Sequence, residues 1–256
     1  MKEMRLKQVC GMALLSGLLL FSACHSSYEL TGTKGTRIEI NSRYDVNPDV
    51  DAVAILAPYK AKVDSIMTPV IGKSEMAMAA GRPESLLSNL VADVLRGYAN
   101  SLPGQTVEVA MTNVGGLRSD LPEGDVTYGN VYEILPFQNS LCILTLTGKD
   151  LKLLFSQIAL VGGEGISNVK LVISKDRKLV SASVGGKEIK DDALYKVATL
   201  DYLAEGNDGM TAFLNAKDKV CPEGATIRQI FLDYVAAQTK KGKALTSKLD
   251  GRITIQ

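Results

Sequence analysis

The chain has 256 residues, with apolar side chains at 46% and charged ones at 22%, an ordinary globular balance with room for one large domain or two small ones. Lys and Arg number 29 against 28 Asp and Glu, a net charge of +1, which argues against nucleic acid as a partner and against a broadly polybasic membrane surface. A single histidine, His25, excludes a metal centre built on several imidazoles and any Ser-His or Cys-His nucleophile pair whose base is not His25 or another protein's.

Lys2, Arg5 and Lys7 open the chain, and Met12 to Phe21 is an apolar stretch too short to cross a bilayer. Residues 1–23 therefore read as an export leader. Leu20-Phe21-Ser22-Ala23-Cys24 resembles a bacterial lipobox, which implies cleavage before Cys24, a lipid on that Cys, and a protein anchored at the periplasmic face of a membrane or elsewhere in the cell envelope. The alternative is an ordinary signal peptide, which equally means export. Residues 24–48 follow as a tether, polar and Ser/Thr/Gly-containing at its start, and 49–256 as one folded domain. Cys10 falls in the leader. Cys142 lies in an apolar strand and Cys221 in a Cys-Pro turn; spacing leaves their pairing open, and buried free thiols are the simpler expectation.

Taken in order, Thr36–Ile40 predicts a short strand. Val53, Leu56, Tyr59, Val63 and Ile66 predict a helix with Pro58 in its first turn, ended by Thr68-Pro69. Val70–Gly72 reads as a strand. A second helix opens at Pro83, with Glu84 in its first turn and a stripe of Leu87, Leu90, Val91, Val94, Leu95 and Tyr98. Val107–Thr112 is a strand, Asn113–Arg118 a Gly-containing loop, and Leu141–Leu146 a further strand. A helix begins near Gly148, Val161–Gly165 is a loop, and Val169–Ser174 and Leu179–Val184 form strands around Lys175-Asp176-Arg177. Tyr195–Leu200 is a strand, Leu203–Gly209 a loop, 224–239 a helix and Arg252–Ile255 a last strand. The irregular interleaving favours α+β over a doubly wound sheet.

Three loops carry chemistry. In Asn113-Val114-Gly115-Gly116-Leu117-Arg118 the glycines let backbone approach a ligand and Arg118 can fork onto a phosphate. The loop is not a nucleotide P-loop, because no Gly-x4-Gly-Lys-Ser/Thr is present. In Pro136-Phe137-Gln138-Asn139 a phenyl ring at a corner can stack on a flat ligand while Asn139 reads its edge. In Asp201 to Gly209, Tyr202 offers a second flat face and Asp208 an acceptor for sugar hydroxyls. Each loop alone reads more simply as a plain turn or a core-packed aromatic.

In this order the loops resemble the C-terminal domain of the 5'-nucleotidase / UDP-sugar hydrolase family. Glu84-Ser85-Leu86-Leu87-Ser88-Asn89 is similar to that family's Glu-x-x-x-Gly-Asn, and Thr112 to Arg118 to its Thr-Asn-Gly-Gly-Gly-Ile-Arg. Tyr128-Gly129-Asn130-Val131-Tyr132, Leu135-Pro136-Phe137-Gln138-Asn139, Leu146 to Leu151 and Tyr202 to Gly209 complete the set. The resemblance implies a single α+β domain with a mixed sheet and packed helices. It also implies a nucleotide or nucleoside ligand: Phe137 and Tyr202 as a base clamp, Asn139 at the base edge, Asp208 on the ribose, and Asn113 and Arg118 on the ligand with Arg118 reaching phosphate. Arg82 takes the place of a family arginine ahead of the Glu, at a different spacing from Glu84. Val114 and Asn207 replace glycines of the pattern, and Asn207 is expected to carry left-handed backbone.

The family's two-metal phosphoesterase half has no match in this sequence. The resemblance therefore implies the binding half of a split 5'-nucleotidase, with no catalytic or metal-binding residue and no cofactor in this chain, and a divalent metal pair in a separate metallophosphoesterase partner. A stand-alone nucleotide- or nucleoside-binding lipoprotein, and a scaffold that has lost its ligand, remain open.

Overall fold

In the computed structural model, which describes residues 28–256, the lone segment Thr36–Ile40 is exposed coil rather than strand, having no partner to satisfy its backbone. Residues 1–53 and 54–256 are separate units; in the first, the described residues hold a 3-10 turn at Ser42–Tyr44 capped by Asn41. The leader, Cys24 and His25 lie outside the described residues.

Helix α1 (Val50–Met67) contains Pro58 in its interior, not in its first turn. The helix starts earlier because the Asp49 carboxylate accepts the Ala52 N–H at 2.9 Å, an N-terminal cap well upstream of the proline. Strand β1 (Val70–Ser74) follows. Helix α2 (Leu86–Ser101) starts after Pro83 and Glu84, contrary to expectation, because Ser85 is extended and its Oγ accepts the Ser88 N–H. The predicted stripe faces inward, with Leu87, Val91 and Leu95 fully buried.

The central sheet runs β10-β4-β9-β2-β5, built from β2 (Val109–Thr112), β4 (Leu141–Thr147), β5 (Gly165–Ser167), β9 (Leu194–Leu200) and β10 (Asp218–Val220). Within this sheet only the β2–β9 pairing is parallel. Every residue of β2 and the first four of β4 are buried, so these strands read as continuous apolar runs rather than alternating ones. A second sheet, β11-β6-β7-β8, combines β6 (Val169–Ile173), β7 (Leu179–Val184), β8 (Lys187–Glu188) and β11 (Ile253–Ile255). A third pairs β1 with β3 (Gly124–Thr127).

Helix α3 (Tyr128–Ile134) carries a Thr127–Asn130 capping box. Helix α4 (Gly148–Leu160) packs on β4, β7 and β9. The single turn α5 is Asp201–Ala204, and α6 (Ile227–Lys240) lies against α2 and β1. Mixed sheets with helices on them make the domain α+β.

Cys142 and Cys221 form a disulfide, with Cα atoms 4.1 Å apart, which corrects the expectation of free thiols. The unpredicted strand β10 is the reason. It pairs with β4 so that Val220 stands opposite Ile143, which sets Cys221 beside Cys142.

Candidate functional site

Parallel neighbours end at the same edge of a sheet. Because β2 and β9 run parallel in register at Ala110 and Ala198, the loop after β2 and the loop after β9 emerge together. Strand β4 is antiparallel to β9 with Leu141 opposite Leu200, so the segment Phe137–Asn139 enters at that edge too. Carboxyl ends of strands are where open sheets leave a crevice for ligands.

A cavity of about 320 Å³ lies there. Asn113, Gly115 and Gly116 come from the first loop, Phe137 and Asn139 from the second, Tyr202 and Asp208 from the third. Phe137 is 48% exposed and Tyr202 41%. Two large rings left this open at one cavity offer faces for stacking rather than core packing.

The polar groups are held tightly. Asp208 accepts from Asn113 Nδ2 at 2.6 Å and from the Tyr202 hydroxyl at 2.9 Å. The Asp208 hydrogen bond pushes the Tyr202 phenol above its ordinary pKa. Since its amide nitrogen is committed to Asp208, Asn113 turns its Oδ1 elsewhere, and that buried oxygen has no hydrogen-bond partner. A buried acceptor without a donor is costly, and this one packs against Gly116, where an added Cβ would fall 2.7 Å from it.

Asp208, not Asn207, occupies the left-handed region, at φ 54, with Gly206 and Gly209 beside it at φ 81 and 78. Asn207 instead donates Nδ2 to the Tyr202 carbonyl at 2.8 Å, fixing the turn that carries the ring. Left-handed backbone at a non-glycine residue is held in place only by its surroundings, here the two bonds to the Asp208 carboxylate.

The two arginines stand apart from the cavity lining. Arg118 is exposed and donates to the Gly115 carbonyl at 3.2 Å. Arg82 donates Nε to the Gly163 carbonyl at 2.7 Å and pairs with Glu164.

Two residues that the sequence reading passed over support the site. Glu164 lies just before β5, and its second oxygen accepts the Val114 N–H. Arg228, in the first turn of α6, donates to the carbonyls of Leu135 (2.7 Å) and Pro136 and sits 4.2 Å over the Tyr132 ring, bracing the segment that carries Phe137. The Asn139 carbonyl accepts from the Ile227 N–H at 2.9 Å. The only sequence signal for Arg228 is its place on the polar flank of an amphipathic helix.

The model of the 5'-nucleotidase C-terminal domain matches residues 68–215. The chain belongs to that family. It is 30% identical over 242 residues to the cell wall protein Lmo0130 of Listeria monocytogenes, covering 84% of this chain and 30% of that protein. It is 26% identical over 237 residues to the trifunctional nucleotide phosphoesterase protein YfkN of Bacillus subtilis, covering 84% and 16%. Among solved structures, the 5'-nucleotidase precursor from Thermus thermophilus superposes with a TM-score of 0.70 at 26% identity, covering 80% of this chain and 43% of that one. The chain thus spans less than half the length of these relatives. As to the family's metal chemistry, no three His, Cys, Asp or Glu side chains among the described residues converge to hold a metal ion.

Proposed function

We propose that this domain binds a nucleotide as the specificity half of a split 5'-nucleotidase-type hydrolase, with the metal chemistry on a separate metallophosphoesterase chain. The observation that carries the reading is the single cavity bounded by Phe137 and Tyr202, with the Asn113–Asp208 pair beside them. Two aromatic faces suit a base, and the carboxylate beside them suits a ribose. Membership of the 5'-nucleotidase C-terminal domain family supports the ligand class. Export as a lipid-anchored envelope protein is supported by the Cys24 lipobox and by the disulfide, which belongs to an oxidising compartment.

Calorimetric titration of the purified full chain with AMP tests the reading. Phe137→Ala and Tyr202→Ala are each expected to weaken binding by roughly 5- to 150-fold, the range of one lost aromatic stack. A candidate metallophosphoesterase should hydrolyse AMP faster when this chain is added. Tight AMP binding with no such gain would favour a stand-alone binder. Wild-type chain that binds neither AMP nor adenosine would sink the reading. For the anchor, Cys24→Ser is expected to move the protein from the membrane fraction to the soluble one.

A further inference from the structure

Among the described α-helices, α1 alone has no buried residue. It is also the longest of them, at 18 residues. The apolar positions that announce it in the sequence, Val53, Leu56, Tyr59, Val63 and Ile66, stand 49–68% exposed, and so does Ile55. At about 3.6 residues per turn these six fall on one face of the helix, with Pro58 on the opposite side. A helix in a protein draws most of its stability from packing such a face. Intrinsic preference does not hold α1 together, because it carries β-branched Val and Ile and an interior proline that removes one of its hydrogen bonds. The face calls for a cover.

The charges along its edges indicate what the cover is. Lys60 and Asp64 pair with each other along one edge. Asp51 and Lys62 form no ion pair among the described residues. They lie eleven residues apart, about three turns, so they share the other edge, the acid toward its N-terminal end and the base toward its C-terminal end. Two such helices laid antiparallel bring like edges together. With the two-fold axis between Leu56 and Ala57, Asp51 of each copy stands opposite Lys62 of the other. The Leu56 side chains of the two copies then meet at the centre, and Val63 of each lies beside Val53 of the other. An interface of this kind is self-complementary, as two-fold symmetry requires. A lipid surface fits less well. An interfacial helix carries Lys and Arg across its polar face, whereas α1 sets two acids, Asp51 and Asp64, against Lys60 and Lys62.

We propose that α1 is a self-association surface, through which two copies of this chain pair as an antiparallel helical dimer. The inference does not rest on the nucleotide-binding reading, since no residue of α1 lines the strand-end cavity.

Sedimentation-velocity centrifugation of the purified full chain tests it, with Cys24→Ser so that no lipid is attached there. The chain is expected to form a dimer with a Kd on the order of 10 μM or tighter, in the range of a small specific interface. Leu56→Glu puts a charge at the centre of the face and should weaken the dimer by roughly a hundredfold. Its Tm and its affinity for AMP should match those of the parent, because Leu56 touches neither the core nor the cavity; that match separates a lost contact from a lost fold. A charge swap reads the orientation. Lys62→Glu sets acid against acid at both ends of the pair and should weaken the dimer by about tenfold, and adding Asp51→Lys should recover most of that loss. A parent chain still monomeric at a concentration on the order of 200 μM overturns the inference. So does a dimer that survives Leu56→Glu, since its contact then lies elsewhere. A double variant as weak as Lys62→Glu alone removes the antiparallel pairing. Each of these outcomes leaves the nucleotide-binding reading standing.

Discussion

Reducing the Cys142–Cys221 disulfide is expected to destabilise the domain by about 4 kcal/mol, the largest effect of any single bond broken here. The bridge closes a sequence separation of 79 residues, and loop-closure entropy removed from the unfolded chain over that length stabilises by roughly 4–5 kcal/mol. For a domain of this size that corresponds to a fall of roughly 8–16 °C in Tm. Differential scanning calorimetry with and without a thiol-free phosphine reductant measures it. The Cys142→Ser/Cys221→Ser double variant should start at the lower Tm and be indifferent to reductant. A wild type equally indifferent would show that the bridge does not form. The effect should reach the cavity, since Cys142 is the second residue of β4 and the segment Phe137–Asn139 leads directly into that strand. Ligand affinity should fall in the reduced protein before global unfolding begins.

That bridge also shows where sequence reading stops. Strand β10 is Asp218-Lys219-Val220, all three exposed at the sheet edge. A short, polar edge strand has neither alternation nor an apolar run, so nothing local announces it, and without it the two cysteines have no reason to meet. By contrast the central strands were legible. Burial on both faces forces continuous apolar runs such as Leu141–Leu146, and turn residues mark where each run stops. The candidate site was legible for the same reason: Asn113 and Asn139 flank such runs, Asp208 lies in the loop that follows β9, and the parallel pairing of β2 with β9 gathers those ends.

Interactions between distant segments were not legible. Glu164 sits in Val161-Gly162-Gly163-Glu164-Gly165, where a charge reads as solvated turn. Its burial follows from β5 pairing with β2, Gly165 opposite Thr112. The starts of α1 and α2 differ from those the prolines suggest because the side-chain caps at Asp49 and Ser85 fix them. The left-handed residue is Asp208 rather than the expected Asn207. The amide of Asn207 had a better use on the Tyr202 carbonyl, and tertiary bonds to Asp208 held the less favoured conformation.

Arg252 joins three distant segments of the fold. Its side chain is 9% exposed, and its guanidinium forks onto Asp93 at 2.9 and 3.1 Å and onto Asp250 at 3.0 and 2.9 Å. It also donates to the Ile166 carbonyl at 2.7 Å. One side chain thus ties the C-terminal segment to α2 and to β5, at a residue two positions from Glu164. Arg252→Met is expected to lose about 3 kcal/mol at neutral pH, the low end for breaking a buried pair, because both carboxylates keep some contact with water. Arg252→Lys keeps the charge without the fork and should fall between. Acid should bring the variants closer to wild type. The hydrogen bonds from Arg252 hold the Asp250 carboxyl below its ordinary value of 3.8. A depressed carboxyl contributes stability that is present above 3.8 and lost as the pH falls through the lowered pKa. Urea titrations at neutral pH and in the window just below 3.8 should therefore show the gap between wild type and Arg252→Met narrowing in acid. A constant gap would mean that Arg252 acts through its bond to Ile166 and its packing rather than through charge. In that case the variant should loosen β5 at every pH, and with it the Glu164 contact to Val114 on which the shape of the cavity depends.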